Sequence, residues 1–190
     1  MTTLAELLVR RIALTGPITV ADFMAESLSH PVHGYYQRRD PFGSAGDFIT
    51  APEVSQMFGE MIGLWCVEVW HAMGSPAPCQ LIELGPGRGT LMADALRAAR
   101  IRPAFGAAMR LHLVETSVHL RERQASVLAT YHPQWHAALD DVPEGPLLLV
   151  ANEFFDALPV HQFLLGPAGW SVEMSEGRLT LSRARPGARS

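Results

Sequence analysis

The run Leu81-Ile82-Glu83-Leu84-Gly85-Pro86-Gly87-Arg88-Gly89-Thr90 takes an apolar strand directly into a glycine-spaced turn and then a helix. An apolar strand of this kind is buried on both faces, as in a parallel sheet, and the turn after it lies at the carboxyl edge, where such sheets bind ligands. The residues that follow keep the alternation. A helix is predicted over about 90–100, ending before Pro103, then a strand over 111–115 and a helix over 118–128. A short strand around 135–139 and an apolar strand over 147–151 complete the series. Alternating strands and helices predict an α/β fold, a doubly wound Rossmann-like parallel sheet with helices on both faces. After Asn152 the pieces shorten, and Ser175-Glu176-Gly177 between two apolar runs reads as a hairpin.

Upstream of the turn the pattern is different. Leu4, Leu7, Leu8 and Ile12 recur at helical spacing, Thr15-Gly16-Pro17 stops that helix, and a second begins near Thr19 with Asp22 placed for a capping box. A polar, aromatic, glycine-rich stretch through residue 49 reads as a loop or lid. Thr50 and Glu53 predict a further capping box, opening a helix to about His71 whose apolar residues occupy most faces, so that it is buried or lies at an interface. This divides the chain into an N-terminal helical and lid region, 1–75, and a Rossmann-like core, 76–190.

The composition excludes several classes. A net charge of -4 with no basic cluster argues against nucleic acid as a partner. No apolar run is long enough to span a bilayer, so no membrane partner is expected, and the start of the chain has no secretory h-region. Two cysteines, Cys66 and Cys79, form no disulfide framework or metal-ligand spacing, and His132 and His136 are separated by a proline, so no metal is expected. Together these predict a cytoplasmic protein with free thiols.

The turn itself carries the chemical information. Glu83-Leu84-Gly85-Pro86-Gly87-Arg88-Gly89 is E-x-G-x-G-x-G, one residue short of the dinucleotide spacing before its last glycine and with an acid ahead of the first. A pyrophosphate needs backbone N–H groups and a positive helix end, whereas Pro86 removes a donor and Glu83 adds negative charge. That disfavours a nicotinamide dehydrogenase. A phosphate-free nucleoside carrying a cation fits better, and S-adenosyl-L-methionine is such a ligand. Glu83, Gly85, Gly87 and Gly89 are the candidate cofactor residues, with Glu115, at the next strand end, placed to accept hydrogen bonds from both ribose hydroxyls.

An acceptor would sit at the end of the strand over 147–151. There Asn152 can hold an amino group, and Glu153 and Asp156 can localise charge on a guanidinium; Asp47, in the lid, is a further acidic candidate. Asn152 also reads as a helix cap with Phe154 and Phe155 as core, and Asp47 as a turn aspartate.

Four segments carry a resemblance: His33-Gly34-Tyr35-Tyr36, the run from Gly46 through Asp47 to Glu60, Glu83 to Leu91, and Asn152 to Val160. Together they resemble the MidA-like family of S-adenosylmethionine-dependent methyltransferases, from near the N-terminus to about Phe163. The resemblance implies a class I methyltransferase sheet with an N-terminal helical extension, incomplete at its C-terminal side because four or five of seven strands can be placed. It implies S-adenosyl-L-methionine as cofactor and protein arginine methylation as activity, since the family includes a mitochondrial complex I assembly factor that methylates an arginine. A protein substrate, such as a respiratory complex subunit, follows from it. Gly85, Gly87 and Gly89 then belong to the cofactor turn, Glu115 is the ribose acid, and Asp47 to Glu53 line the pocket. An incomplete sheet leaves an edge on which copies of the chain can pair. The alternative is a non-catalytic assembly or scaffold protein that keeps the fold.

Overall fold

The computed structural model describes residues 2–38, 50–162, 170–175 and 178–183. In chain order its elements begin with α1 (Leu4–Thr15), β1 (Ile18–Thr19), α2 (Val20–Ser29), α3 (Tyr35–Arg38), α4 (Ala51–Val54) and α5 (Gln56–Ala72). Then come β2 (Cys79–Leu84), α6 (Thr90–Ala99), α7 (Pro103–Ala108), β3 (Met109–Val114) and α8 (Val118–Val127). The last are β4 (Gln134–His136), β5 (Leu147–Val150), β6 (Trp170–Ser175) and β7 (Arg178–Arg183). The chain forms two compact units, one of Met1–Arg39 with Asp156–Ser190, the other of Asp40–Phe155.

In the first unit, Thr3 and Thr19 open α1 and α2 with capping boxes: each hydroxyl accepts the N–H of the acid three residues on, and that acid accepts the threonine N–H. Arg11 of α1 reaches Asp22 at 2.9 Å and Glu26 at 3.2 Å on α2. The predicted hairpin is present as antiparallel β6 and β7, in register from Trp170 opposite Arg183 to Ser175 opposite Arg178, while its turn residues Glu176 and Gly177 lie outside the described residues. β1 pairs antiparallel with β6, Ile18 opposite Val172. Leu8, Ile12 and Ile18 form the core of this unit, joined by Phe23 and Leu179.

The second unit is built on a fully parallel sheet of order β4-β3-β2-β5. Every residue of β2 is buried, which is why its sequence shows no alternation. Leu81, Leu111, Leu113, Leu148 and Val150 pack with residues of α5 and α6, Phe105 of α7, and Leu128. The opposite face carries Ile82, Leu84 and Val114 with Val142, Leu149 and Phe154. On β2, β3 and β4 it also carries a polar chain, Gln80 to His112 to His136, with contacts of 2.8 and 2.9 Å. The Gln80 oxygen only accepts, so Nε2 of His112 donates to it, and Nδ1 of the neutral ring accepts from His136. Burial, and then the neighbouring imidazole, lower the pKa of His112.

The single helix expected from Thr50 is instead α4 and α5, broken at Ser55, whose hydroxyl accepts the Met57 N–H and so caps α5. Thr50 makes no side-chain cap: the Glu53 N–H donates to the Thr50 carbonyl at 2.9 Å, and the Glu53 carboxylate accepts from Thr90 and Arg88. The faces of α5 divide sharply. Gly59, Gly63, Cys66, Val67 and Trp70 are buried, whereas Met57, Met61, Leu64 and Trp65 are exposed. A Cβ on Gly63 would stand 2.1 Å from the Ala95 carbonyl oxygen, and one on Gly59 would stand 2.7 Å from the Cβ of Asp94. These two glycines let α5 lie directly on the backbone of α6. The six-residue α7 was not expected, since Pro103 reads as a terminator; here it sits in the first turn of the helix.

Candidate functional site

Because β2, β3 and β5 are parallel neighbours, the segments that follow them emerge at one edge of the sheet. That brings the glycine turn, Glu115 and Asn152 to the same edge. In the turn Gly85, Gly87 and Gly89 have φ of 59°, 53° and 82°, a region that residues with a Cβ rarely adopt. The Gly85 N–H donates to the Val114 carbonyl at 3.0 Å and the Gly89 N–H to that of Pro86 at 2.8 Å. Gly89 opens α6 without any side-chain cap.

Glu83 lies one residue before the end of β2 and is 3% exposed. Its Oε2 is buried and has no hydrogen-bond partner among the described residues. Burial pushes its pKa up from 4.5 to about 8. The nearby Cys66 thiol of α5 is itself pushed up to about 11, by burial first and then by the charges of Cys79 and Glu83. A buried carboxyl with a free oxygen can neutralise and hydrogen-bond a cation that enters the site.

Glu115 is the first residue beyond β3. Its Oε1 accepts the Ser117 N–H at 2.8 Å, and its Oε2 lies 3.4 Å from Nε2 of Gln124. Each carboxylate oxygen accepts more than one hydrogen bond, so the pair of oxygens can still receive two adjacent hydroxyls. Burial raises the Glu115 pKa, opposed by the donors of Ser117, Gln124 and Thr116 and by the Arg121 charge. Arg121 of α8 fixes the backbone of the same residue, donating through Nε and a second guanidinium nitrogen to the Glu115 carbonyl. Gln124 also donates to the Gly87 carbonyl at 2.7 Å, which links the turn to the acid.

A further carboxylate braces the start of α6. Glu53 of α4 accepts from the Thr90 hydroxyl at 2.7 Å and from Arg88 at 3.3 Å, in a partly buried cluster. After β5, Asn152 and Glu153 form a bend, Glu153 with φ of 48° and exposed. Phe154 covers Gly85 so closely that a Cβ there would lie 2.6 Å from its ring. Asp156 belongs to the other compact unit, where its charge adds to burial in raising the Tyr36 pKa. Asp47 and the rest of the stretch 39–49 lie outside the described residues. A cavity of about 590 Å3 opens beside Met109, Arg110 and Tyr131, at the start of β3, the wrong end of the sheet for the nucleoside site. Glu53 falls within the stretch that the resemblance places along the pocket, whereas Gln124 and the pair Gly59 and Gly63 are the residues that sequence reasoning missed. The i, i+4 spacing of the two glycines was the one available signal among them.

Comparison with known proteins identifies the family. The family described as "Putative S-adenosyl-L-methionine-dependent methyltransferase" matches residues 61–179. The chain is 45% identical over 215 residues to the Drosophila melanogaster mitochondrial protein arginine methyltransferase NDUFAF7 homolog, covering 96% of this chain and 49% of that protein. With human mitochondrial protein arginine methyltransferase NDUFAF7 it is 42% identical over 190 residues, covering 86% of this chain and 42% of the human protein. A crystal structure of a Burkholderia thailandensis superfamily member with S-adenosyl-homocysteine bound superposes with a TM-score of 0.78 at 30% identity, over 98% of this chain and 50% of that one. The chain thus spans about half the length of the relatives it matches. The mitochondrial relatives overturn the cytoplasmic expectation: free thiols and a missing secretory h-region do not distinguish the cytosol from other reducing compartments. The acidic glycine turn, the α/β sheet that carries it and these matches lead to one conclusion: the chain belongs to this family of S-adenosyl-L-methionine-dependent methyltransferases.

Proposed function

We propose that this chain binds S-adenosyl-L-methionine at the glycine turn and takes part in transferring its methyl group to an arginine of a protein substrate. The observation that carries the reading is the buried Glu83 carboxyl, whose Oε2 has no partner among the described residues, at the head of a turn that lacks a phosphate cradle. Such a group suits an ammonium or sulfonium. Gly85, Gly87 and Gly89 let a ligand approach the backbone, and Glu115 receives the ribose hydroxyls. Bound cofactor would supply a carbon activated by its sulfonium, so the protein's task is to position the acceptor and exclude water. Asn152 and Glu153 after β5, together with Asp156 and Asp47, are the proposed acceptor-side residues, accepting hydrogen bonds from a guanidinium and concentrating its charge.

The names of the Drosophila and human relatives support arginine as the acceptor, and a respiratory complex subunit is the substrate to test first. Pairing of two copies along a free sheet edge is proposed as the route to any homo-oligomer. Calorimetric titration of the chain with S-adenosylmethionine and S-adenosylhomocysteine tests the cofactor, with Glu115→Ala as the variant expected to lose binding. Transfer of labelled methyl into a protein, followed by peptide mapping, tests the acceptor. No binding by the folded, unaltered chain would sink the reading. The exposed Met57, Met61, Leu64 and Trp65 of α5 support the second reading, a scaffold that keeps the fold and docks a partner. Cofactor binding without any transfer would favour it.

A further inference from the structure

Gln124 sits in the middle of α8 with no exposed surface. Its orientation follows from chemistry. The Trp135 indole N–H can only donate, and it lies 2.8 Å from Oε1 of Gln124, so Nε2 must point the other way. There it faces two groups that can only accept, the Gly87 carbonyl at 2.7 Å and Oε2 of Glu115 at 3.4 Å. One amide therefore spends both N–H groups on the turn after β2 and the acid after β3, while β4 holds its oxygen. Flipping it would break all three contacts and put oxygen against oxygen twice.

We propose that Gln124 is the positioning residue of the cofactor site, fixing the distance between the glycine turn and Glu115 and keeping the Glu115 carboxylate ionised with its remaining lone pairs turned to the ribose. This rests on the methyltransferase reading above. Mutual support is built into the arrangement. A buried carboxylate left without this donor takes up a proton more readily, and a protonated Glu115 binds the two hydroxyls less well. The other groups acting on Glu115 are the N–H groups of Thr116 and Ser117 and the Arg121 guanidinium of α8, which binds the Glu115 carbonyl. None of them reaches the glycine turn among the contacts described, so none can replace the amide.

The test is the affinity of the 190-residue chain for S-adenosylhomocysteine, measured by calorimetry between pH 5 and pH 8, with thermal melting to verify folding. Gln124→Met keeps the volume and removes the hydrogen bonds. It should weaken binding roughly tenfold at pH 8, and the loss of affinity on the acid side should set in about one pH unit higher than in the unaltered chain. Glu115→Gln should weaken binding similarly, and the double variant should be at most a few-fold weaker than the worse single one, because the two residues act as a unit. Gln124→Glu keeps the Trp135 contact but turns an oxygen toward Glu115. Its binding should be weakest at pH 8 and recover in part on acidification, opposite to the unaltered chain, and it decides the matter if Gln124→Met fails to fold.

Losses that multiply in the double variant, or a lowered melting temperature with an unmoved pH profile, overturn the proposal in favour of a packing role. Binding that is lost in Glu115→Gln yet intact in both Gln124 variants overturns it and leaves the methyltransferase reading standing. No binding by the unaltered chain overturns both.

Discussion

Glu83→Gln should make this protein more stable and less able to bind its cofactor. The free carboxyl has an ordinary pKa of 4.5, and in the folded chain burial raises it to about 8. Below pH 4.5 both states hold the proton and there is no penalty. As the pH rises from 4.5 toward 8, the folded chain keeps a proton that the unfolded chain gives up, so stability falls by about 1.4 kcal/mol per pH unit. At pH 8 the accumulated penalty is roughly 5 kcal/mol at most. Glutamine has no such dependence, although it still leaves a buried polar atom to be satisfied, at a cost of about 1–3 kcal/mol that does not vary with pH. Urea denaturation of both proteins at pH 5, 6.5 and 8 measures the difference. The gap in unfolding free energy should move in favour of the variant by several kcal/mol between pH 5 and pH 8. A cation entering the site would ionise Glu83 and release its proton, so calorimetric enthalpies of S-adenosylmethionine binding should depend on the buffer in the unaltered chain and much less in the variant. Parallel stability curves across this range would refute the reasoning, because they would mean that Glu83 already has its counter-charge or its water.

Gly63→Ala should destabilise the chain by about 3 kcal/mol or more, since its Cβ meets backbone of α6 and cannot be accommodated by turning a side chain. Gly106→Ala on α7, with nothing within 4 Å among the described residues, is the matched control and should be neutral or stabilising in thermal melts. His112, whose neutral ring is held between Gln80 and His136, favours the folded chain above pH 6.5 and opposes it as the pH falls below, where the unfolded chain takes up the proton more readily. His112→Asn should therefore flatten the loss of stability between pH 6.5 and pH 5 in denaturant titrations; an unchanged slope would count against a neutral His112.

The parts of the fold that the sequence made legible are those specified by short runs of chain. The strand into Leu84, the three glycines at positive φ and the acid one residue beyond β3 are local patterns with few other physical uses, and the structure puts them at one sheet edge. Thr19 and Asp22 were readable as a capping box for the same reason. Thr50 and Glu53 show how the same pattern misleads: the spacing is right, but the Glu53 N–H donates to the Thr50 carbonyl and its carboxylate accepts from Thr90, a residue far along the chain. Gln124 had no signature at all. A polar residue in mid-helix is ordinary, and its meaning lies in Gly87, Glu115 and Trp135, none of which is within a helical turn of it. The two faces of α5 were equally hidden, because an all-apolar helix does not disclose which side meets a neighbour, although Gly59 and Gly63 mark the side that touches α6.

The pairing of β1 with β6 has a consequence for the order of events at the ribosome. Synthesis delivers Ile18 long before Val172, its partner across the ladder, so the first unit cannot finish while the second is being made. The strands of the second unit, by contrast, all lie between residues 79 and 150 and meet as they emerge. During the wait, α1 and α2 depend on short-range contacts that need nothing downstream: two capping boxes and the Arg11 bridge to Asp22 and Glu26. Such contacts close quickly and at little entropic cost. The two helices are thereby kept in a form ready for late arrivals, with Leu8 and Ile12 held on α1 until Leu179 comes off the ribosome to complete their core.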